Sequence, residues 1–557
     1  MLAMKIHDAI SAALPEPVAY SLTPSTQPTF GDFACNAAMI LAKKLNKNPR
    51  EIATQIIKKL AGSDLIAKAE VAGPGFINIF LQDAAVWDAL AGAALAPVIQ
   101  KEKVIIEYGS ENIAKPMSIG HLRSNIIGKS LVNIFEFIGQ EVITDNHLGD
   151  WGTQFGKLIV AYKKWGDRAQ IEKDPIRELN KIYVRFHDEA KSDLELETAA
   201  RAAFKKLEDG DTEMRELWKW MKEESLKEFQ IMYDRLESRF DHFYGEAFYE
   251  DMLPIVVKDC LAAKIAVQND DGSVMVEFPE AFSPSPFLIQ KSDGATLYAT
   301  RDLATIRFRR DEFAPDRVLY CVGADQILHF RQLFNTAERL NWSKVGGLVH
   351  IVSGMVSLPE GKMSTRSGRT IRLGDLLDTA EEKMREIIAT KNCEVEGAER
   401  EQLIRDLSVG AVKFADLGRD RESNITFSWE QALSFEGYAA PYLMYTHARA
   451  KSILRKASEV SDIDFQSFSD PAERVLAMKL LQFSVAVEKA ATSYKPHHIA
   501  QYIFDLAQEF NSFYHHASVM NAESELEKQL RLALVTQTAE ILKVGLGLLG
   551  ITAPERM

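Results

Sequence analysis

Cysteine is scarce in this chain, and its four copies, Cys35, Cys260, Cys321 and Cys393, stand far apart. That spacing excludes the paired pattern of a zinc site and the density of a disulfide framework, and it leaves free buried thiols as the expectation. Long apolar runs are missing too. No uninterrupted stretch could span a bilayer, and the N-terminus shows no basic region followed by an apolar segment and a small-residue cleavage site, so cytosol is the expected compartment. Nor is there an excess of positive charge: 66 Lys and Arg against 79 Asp and Glu give a net charge of −13. A surface coated for nucleic acid is thereby excluded, although a local basic patch is not. The Gly-x-Ser-x-Gly elbow of a serine hydrolase is also absent.

What remains is a soluble globular composition, 46% hydrophobic and 26% charged, in a 557-residue chain with room for roughly three to four domains. The most informative segment is EYGSENIAKPMSIGHLRSNIIGKSL, Glu107 to Leu131. Before it, Val104 to Tyr108 reads as a buried parallel strand. After it, Leu122, Ile126, Ile127, Leu131 and Ile134 recur at helical spacing. Ser118, Gly120 and His121 fall where that helix begins, so free backbone N–H groups and the positive end of the helix dipole face the loop. Such a site suits a nucleotide triphosphate; read alone, the same segment is equally an ordinary strand-to-helix turn. A second segment, Gly361 to Gly368 (GKMSTRSG), follows the expected strand Leu348 to Leu358 and offers cationic and hydroxyl side chains in a glycine-flanked loop.

Along the chain, residues 1–100 form a small α/β unit, with helical stretches at Met4 to Leu14 and Ala34 to Leu45 and a strand at FINIFL. Residues 101–430 alternate strand, loop and helix as in a doubly wound parallel sheet, interrupted by an insertion at roughly 163–290 whose text is highly charged and helical from Lys163 to Glu250. Residues 431–557 read as amphipathic helices only, at Tyr442 to Lys456, Ala472 to Ala491, Ile499 to Ala517 and Leu526 to Leu549. The histidine pairs His497-His498 and His515-His516 are not adjacent metal ligands, because neighbours on a helix point about 100° apart. Capping or RNA contact is the expectation there.

Ser118-Ile119-Gly120-His121 resembles the HIGH tetrapeptide of class I aminoacyl-tRNA synthetases, and Lys362 to Arg366 resembles their KMSKS loop. With NIAKPMSIGHLRS, LGDWGTQFG, YATRDLA, GADQILHF and KMSTRSGRT in that order, the chain is similar to arginyl-tRNA synthetases over essentially its whole length. The resemblance implies a Rossmann-like catalytic domain, an N-terminal domain that grips the tRNA core, an all-α anticodon-binding domain, and a monomer. It departs from the pattern at Ser118, where a histidine is usual, and at Thr365, where a second lysine is usual. A lysine before the HIGH element, matched here by Lys115, takes over part of that charge in this family.

The resemblance also assigns roles. Ser118, Gly120 and His121 would contact ATP from one side, with Lys115 and with Lys362, Met363, Ser364 and Arg366 closing from the other. Magnesium is expected with ATP, held by phosphate oxygens and water, with no tightly bound protein metal. The arginine pocket maps onto Glu107, Asn112, Tyr298, Asp302 and Gln326, where carboxylates suit the planar donor fork of a guanidinium. Tyr442, Tyr445, Tyr502 and Met557 are candidates for anticodon bases, since unstacked bases are held on aromatic or apolar faces. The implied function is ATP-dependent activation of L-arginine and its transfer to tRNA(Arg). Two other readings stay open: a class I nucleotidyl-transfer enzyme acting on another acid, and a weakened RNA-binding paralogue supported only by Ser118 and Thr365.

Overall fold

The computed structural model describes residues 2–25, 28–357, 372–391, 393–457, 465 and 467–557, which group into two compact units. The first comprises Met1–Pro97, Arg449–Ala486 and Phe504–Leu542. Its sheet is antiparallel, with Phe33–Cys35 and Ile66–Ala72 both paired to Phe76–Leu81 and Leu22–Pro24 at the edge. The helices Ala37–Leu45 and Pro49–Leu60 pack on it through Leu41, Ile52 and Ile56, all buried. The helix Pro471–Leu480 starts where the sequence Asp470-Pro471-Ala472-Glu473 dictates: Asp470 caps the N–H of Ala472, proline takes the first turn, and Glu473 reaches back to the Asp470 N–H. Arg474 on this helix forks onto both oxygens of Asp32, at 2.7 and 2.8 Å, and places its Nε 2.8 Å from Asp83.

The second unit comprises Val98–Ala448, Val487–Ile503 and Lys543–Met557. Its centre is a parallel sheet of β1 (Lys103–Glu107), β2 (Glu141–Asp145), β3 (Arg317–Tyr320) and β4 (Leu348–His350), in spatial order β4-β3-β1-β2. Strand order therefore reverses between β1 and β3. That reversal opens a crevice at the carboxyl ends of the strands, where ligands of such sheets bind. Helix α1 (Ile119–Phe137) follows β1 and buries Leu122, Ile126, Ile127, Leu131 and Ile134. Gly128 is required where α1 crosses the strand, because a Cβ there would lie 2.3 Å from the Tyr108 side chain.

The insertion contributes helices Arg168–Lys173, Pro175–Glu189, Leu194–Glu208 and the long α2 (Thr212–Leu236). The last part of the insertion, where no strand is expected from the sequence, holds a three-stranded antiparallel sheet, Ala266–Gln268, Val274–Val276 and Phe287–Gln290. Helices α3 (Tyr298–Phe313) and α4 (Ile327–Arg339) flank β3, and α5 (Gly397–Leu417) packs against α1 through the buried pair Arg123–Asp416 at 2.8 Å. Burial lifts the Asp416 carboxyl to about 6 against the pull of Arg123.

Two expected elements are divided. The strand expected over Leu348 to Leu358 ends at His350, and a separate pair, Val356–Ser357 with Ile425–Thr426, follows. Gly354 sits between them with its N–H on Arg421 C=O, and a Cβ there would meet Ser423 O at 2.5 Å. The helix expected over Ala472 to Ala491 breaks after Leu480 at a tightened turn, Gln482 N–H to Lys479 C=O. Among the described residues no helix is long and apolar enough to cross a membrane.

The Arg474 fork yields a stability prediction. Asp32 is 7% exposed and Arg474 29%, so Arg474→Ala strands a nearly buried carboxylate while part of the lost charge is replaced by water. The expected cost is about 2 kcal/mol, below the full penalty for a buried pair. Calorimetric unfolding should show a lower midpoint for Arg474→Ala, and an unchanged midpoint would remove the fork from the interactions that hold this unit.

A candidate active site at the carboxyl ends of the parallel strands

Glu107, Asp145 and Tyr320 end three neighbouring strands in register, so two carboxylates stand side by side at the mouth of the crevice. A single guanidinium holds them. Arg309 Nη2 lies 2.6 Å from Glu107 Oε2 and 2.7 Å from Asp145 Oδ2, and the arginine is 1% exposed. Burial alone would lower its pKa, yet Glu107, Tyr320 and Asp145 together raise it well above the ordinary value. Arg309 therefore stays charged in the floor of the crevice.

Arg309 also explains the placement of Asp302. Tyr298, Asp302, Thr305 and Arg309 follow one another at helical spacing along α3, forming a single stripe. With Arg309 fixed to the sheet, Asp302 one turn into the helix is fixed as well. Asp302 Oδ2 accepts from His329 Nε2 at 2.6 Å, and Asp302 Oδ1 lies 3.9 Å from His147 Nε2. His147 Nδ1 is 3.1 Å from the Tyr244 carbonyl, which can only accept, so that nitrogen carries a proton and Nε2 is the titrating atom. Burial pulls the His147 pKa down, but Glu107, Asp302 and Glu246 outweigh it and the net shift is upward. Glu246 is itself pushed by burial to about 7, against His147 and Arg301.

The remaining members of the expected pocket are placed as follows. Tyr298 opens α3, is exposed, and sets its ring 5.0 Å from that of His329. Gln326 ends the short turn Ala324–Gln326 ahead of α4, with Nε2 3.3 Å from Asp325. Asn112 is bridged to Gly149, where a Cβ would lie 2.6 Å from Asn112 Oδ1, so only glycine permits this approach.

The loop between β1 and α1 is held from beneath by a buried network. Glu111 is 1% exposed; its Oε1 accepts from Asn125 at 2.7 Å, and its Oε2 accepts from Tyr233 at 2.6 Å and Asn146 at 3.1 Å. Ala114 donates its N–H to Ser225 at 3.2 Å, so both Tyr233 and Ser225 of α2 support the loop. Ser110 and Ala114 are non-glycine residues in the left-handed region, φ 60° and 62°, a strain that such packing sustains. In LGDWG, Asp150 is fully buried and tied to Lys222 at 2.5 Å and to the Ala247 N–H at 2.9 Å.

Ser118 is the N-cap of α1, and its backbone N–H donates to His121 Nδ1 at 2.9 Å. Because Nδ1 accepts, the neutral imidazole carries its proton on Nε2. Burial lowers the His121 pKa, with Glu111 opposing and Lys115 reinforcing the shift. Lys115 and Gly120 are exposed at the same end of the helix. Lys362, Met363, Ser364, Thr365 and Arg366 lie outside the described residues; the described chain resumes at Arg372, which is bridged to Ser118, and the next residue, Leu373, donates its N–H to Met117 C=O.

Of the aromatic candidates nearer the C-terminus, Tyr445 is 40% exposed, Tyr442 is half-buried, and Tyr502 is buried at 5% exposure. Met557 is half-buried, and its carbonyl accepts from Glu394 N–H at 3.3 Å. Sequence reading named neither Arg309 nor His147, His329, Glu111 or Asp145. A signal existed for two of them: Arg309 lies two turns from Asp302, and His329 lies in GADQILHF three residues after Gln326.

Comparison with known proteins places this geometry in a family. Residues 86–429 match the model of the tRNA synthetases class I (R) catalytic domain, residues 443–557 the DALR anticodon binding domain, and residues 1–81 the arginyl tRNA synthetase N terminal domain. The arginine–tRNA ligase of Fusobacterium nucleatum is 43% identical over 96% of this chain and 95% of its own, and arginine–tRNA ligase 2 of Bacillus anthracis is 44% identical over 95% and 94%. Among solved structures, the Thermus thermophilus arginyl-tRNA synthetase superposes with a TM-score of 0.85 at 25% identity, with both chains fully covered. The signature at the start of α1, the doubly wound sheet and the matches along the full length agree: the chain belongs to the arginyl-tRNA synthetase family of class I.

Proposed function

We propose that this protein is an arginine–tRNA ligase, which joins the carboxylate of L-arginine to the α-phosphate of ATP with loss of pyrophosphate and passes the arginyl group to the terminal ribose of tRNA(Arg) with loss of AMP. The observation that carries this reading is the opposite character of the two ends of the crevice. Around β1 and α3 the side chains present carboxylates for a guanidinium. At the start of α1 they present N–H donors for phosphates.

In the first step a substrate carboxylate oxygen attacks the α-phosphorus in line with the leaving pyrophosphate, so no covalent nucleophile from the protein is needed. Alignment and stabilisation of charge on the phosphates are the demands. His121 serves as a neutral donor through Nε2–H, with Lys115 and the Gly120 end of α1 beside it. Ser118, Lys362, Met363, Ser364 and Arg366 complete the contacts to ATP. Magnesium would accompany ATP, held by phosphate oxygens and water, where it would neutralise phosphate charge. Glu107, Asn112, Tyr298, Asp302 and Gln326 surround the arginine. Glu107 already shares one oxygen with Arg309, so Asp302 is the carboxylate assigned to the substrate guanidinium.

For the tRNA, Tyr442, Tyr445, Tyr502 and Met557 are assigned to the anticodon arm within residues 431–557, with Tyr445 the most exposed of the three tyrosines and Tyr502, at 5% exposure, the most enclosed. Residues 1–100 are assigned to the tRNA core. A monomer working in the cytoplasm fits this scheme. Rejection of other amino acids can rest on polar recognition alone, which reaches roughly four to five orders of magnitude, so no editing activity is expected.

Pyrophosphate exchange into ATP, run with each amino acid and with or without total tRNA, should respond to arginine alone; exchange with another amino acid, or with none, would end this reading. Asp302→Asn should raise the arginine KM about a hundredfold while the ATP KM holds, in line with the few kcal/mol lost when a charged partner is removed. Histidine NMR should find His121 as the Nε2–H tautomer with a pKa below 6.5. Because the unfolded imidazole titrates near 6.5, the contribution of His121 to stability is complete above that value and declines as pH falls below it. A cationic His121 at pH 7 would contradict its role as a neutral donor.

A further inference from the structure

GADQILHF draws attention through Gln326, but its histidine, three residues further along α4, makes the shorter contact with the crevice. His329 Nε2 lies 2.6 Å from Asp302 Oδ2, and the His329 side chain is 10% exposed. Its ring is enclosed by those of Phe287, Tyr298 and Phe330, with centroids 5.0 to 5.6 Å away. An imidazole so confined has little rotational freedom, and its N–H has one acceptor at hand. Across the carboxylate, His147 Nε2 faces the other oxygen at 3.9 Å from a ring whose Nδ1–H is committed to the Tyr244 carbonyl.

We propose that His329 is a positioning residue for arginine recognition, fixing the rotation of the Asp302 carboxylate, and that His147 is a second cation competing with the substrate guanidinium for it. The inference rests on the assignment of Asp302 to the guanidinium. A carboxylate free to turn about its last bond meets a planar fork in many orientations, and a hydrogen bond from a packed ring removes most of them before the substrate arrives. His329 therefore acts through Asp302 and does not itself hold arginine.

The two histidines differ in what surrounds them. His147 faces Glu107, Asp302, Arg309 and Glu246, with the Tyr249 ring 5.7 Å away. His329 faces Asp302, the three aromatic rings and, more distantly, His350. The surrounding carboxylates shift His147 upward from its ordinary value, and burial brings Glu246 to about 7. They act in one direction. As pH rises, His147 loses a positive charge and Glu246 gains a negative one, so the region around Asp302 becomes a better acceptor for a cation.

Calorimetric titration of L-arginine into the full-length protein tests this. Wild type, His329→Ala, His329→Gln and His147→Gln are compared at pH 6 and pH 8, with ATP titrated into each as a check that the nucleotide end is intact. His329→Ala should weaken arginine tenfold or more with ATP affinity within twofold of wild type. His329→Gln, which still presents an N–H, should recover part of the loss. Wild type should bind arginine several-fold more tightly at pH 8 than at pH 6, and His147→Gln should flatten that dependence. Wild-type affinity in His329→Ala, or parallel loss of arginine and ATP binding in both His329 variants, would overturn the positioning role while leaving the ligase reading intact. A pH dependence unchanged in His147→Gln would overturn the competition. Failure of wild type to bind arginine at all would overturn this inference together with the reading beneath it.

Discussion

The crevice depends on one ion cluster. Parallel pairing sets Glu107 and Asp145 directly beside each other at the ends of β1 and β2, and two like charges about 5 Å apart repel by roughly 3 kcal/mol at an effective dielectric of 20. Arg309 reverses the sign of that interaction by touching both. The cluster retains a net negative charge, whose field reaches His147 and raises its pKa. Because Arg309 stands on α3, it also sets the rotation of that helix, and with it where Tyr298 and Asp302 point. Electrostatic balance and the geometry of the proposed arginine pocket thus share one side chain.

The other end of the crevice depends on elements far away in sequence. Helix α2, the last of the charged insertion, places Tyr233 and Ser225 under the signature loop and ties Lys222 to Asp150, so the insertion supports the loop in place. The far half of α1 is held as firmly. Ser130 and Asn133 donate to the carbonyls of Leu548 and Gly547, and Lys413 on α5 donates to Gly550 at 2.5 Å. Lys413 is 2% exposed, and burial brings its pKa down to about 8 even with Glu237 nearby. A helix clamped along its length presents its N-terminal N–H groups from a fixed position, which pre-organised stabilisation of charge requires.

The sequence was most informative where local rules and packing agree. The strand-loop-helix of Lys103 to Phe137 was legible because β-branched burial, helical periodicity and a loop of distinctive residues coincide within some thirty positions. Motif resemblance reached Asp302 and Gln326 but stopped there. In ATRDLATIRFRRDEF, Arg307, Arg309 and Arg310 look alike; only the spacing from Asp302 marks Arg309 as the buried one, and that spacing has meaning only once the helix face is known. Glu111 and Asn146 are polar residues in loops, and nothing local announces that they meet in the core. The three-stranded antiparallel sheet escaped notice because its strands are three or four residues long, too short for alternation to emerge.

Ser118, the departure that most favoured a weakened protein, looks different once its contacts are known. His121 Nδ1 meets two groups of residue 118, the backbone N–H at 2.9 Å, which any residue other than proline supplies, and the serine Oγ at 3.0 Å. The backbone N–H by itself makes Nδ1 an acceptor and leaves the proton on Nε2, and the serine hydroxyl adds a second contact to the same nitrogen. Serine is also among the preferred residues at a helix N-cap, the position that residue 118 occupies. What the substitution removes is one longer, potentially cationic donor toward phosphate, and Lys115 stands exposed at the same end of the helix. In the proposed ATP site its cost should fall chiefly on a single phosphate contact, because the backbone N–H that faces His121 Nδ1 is kept.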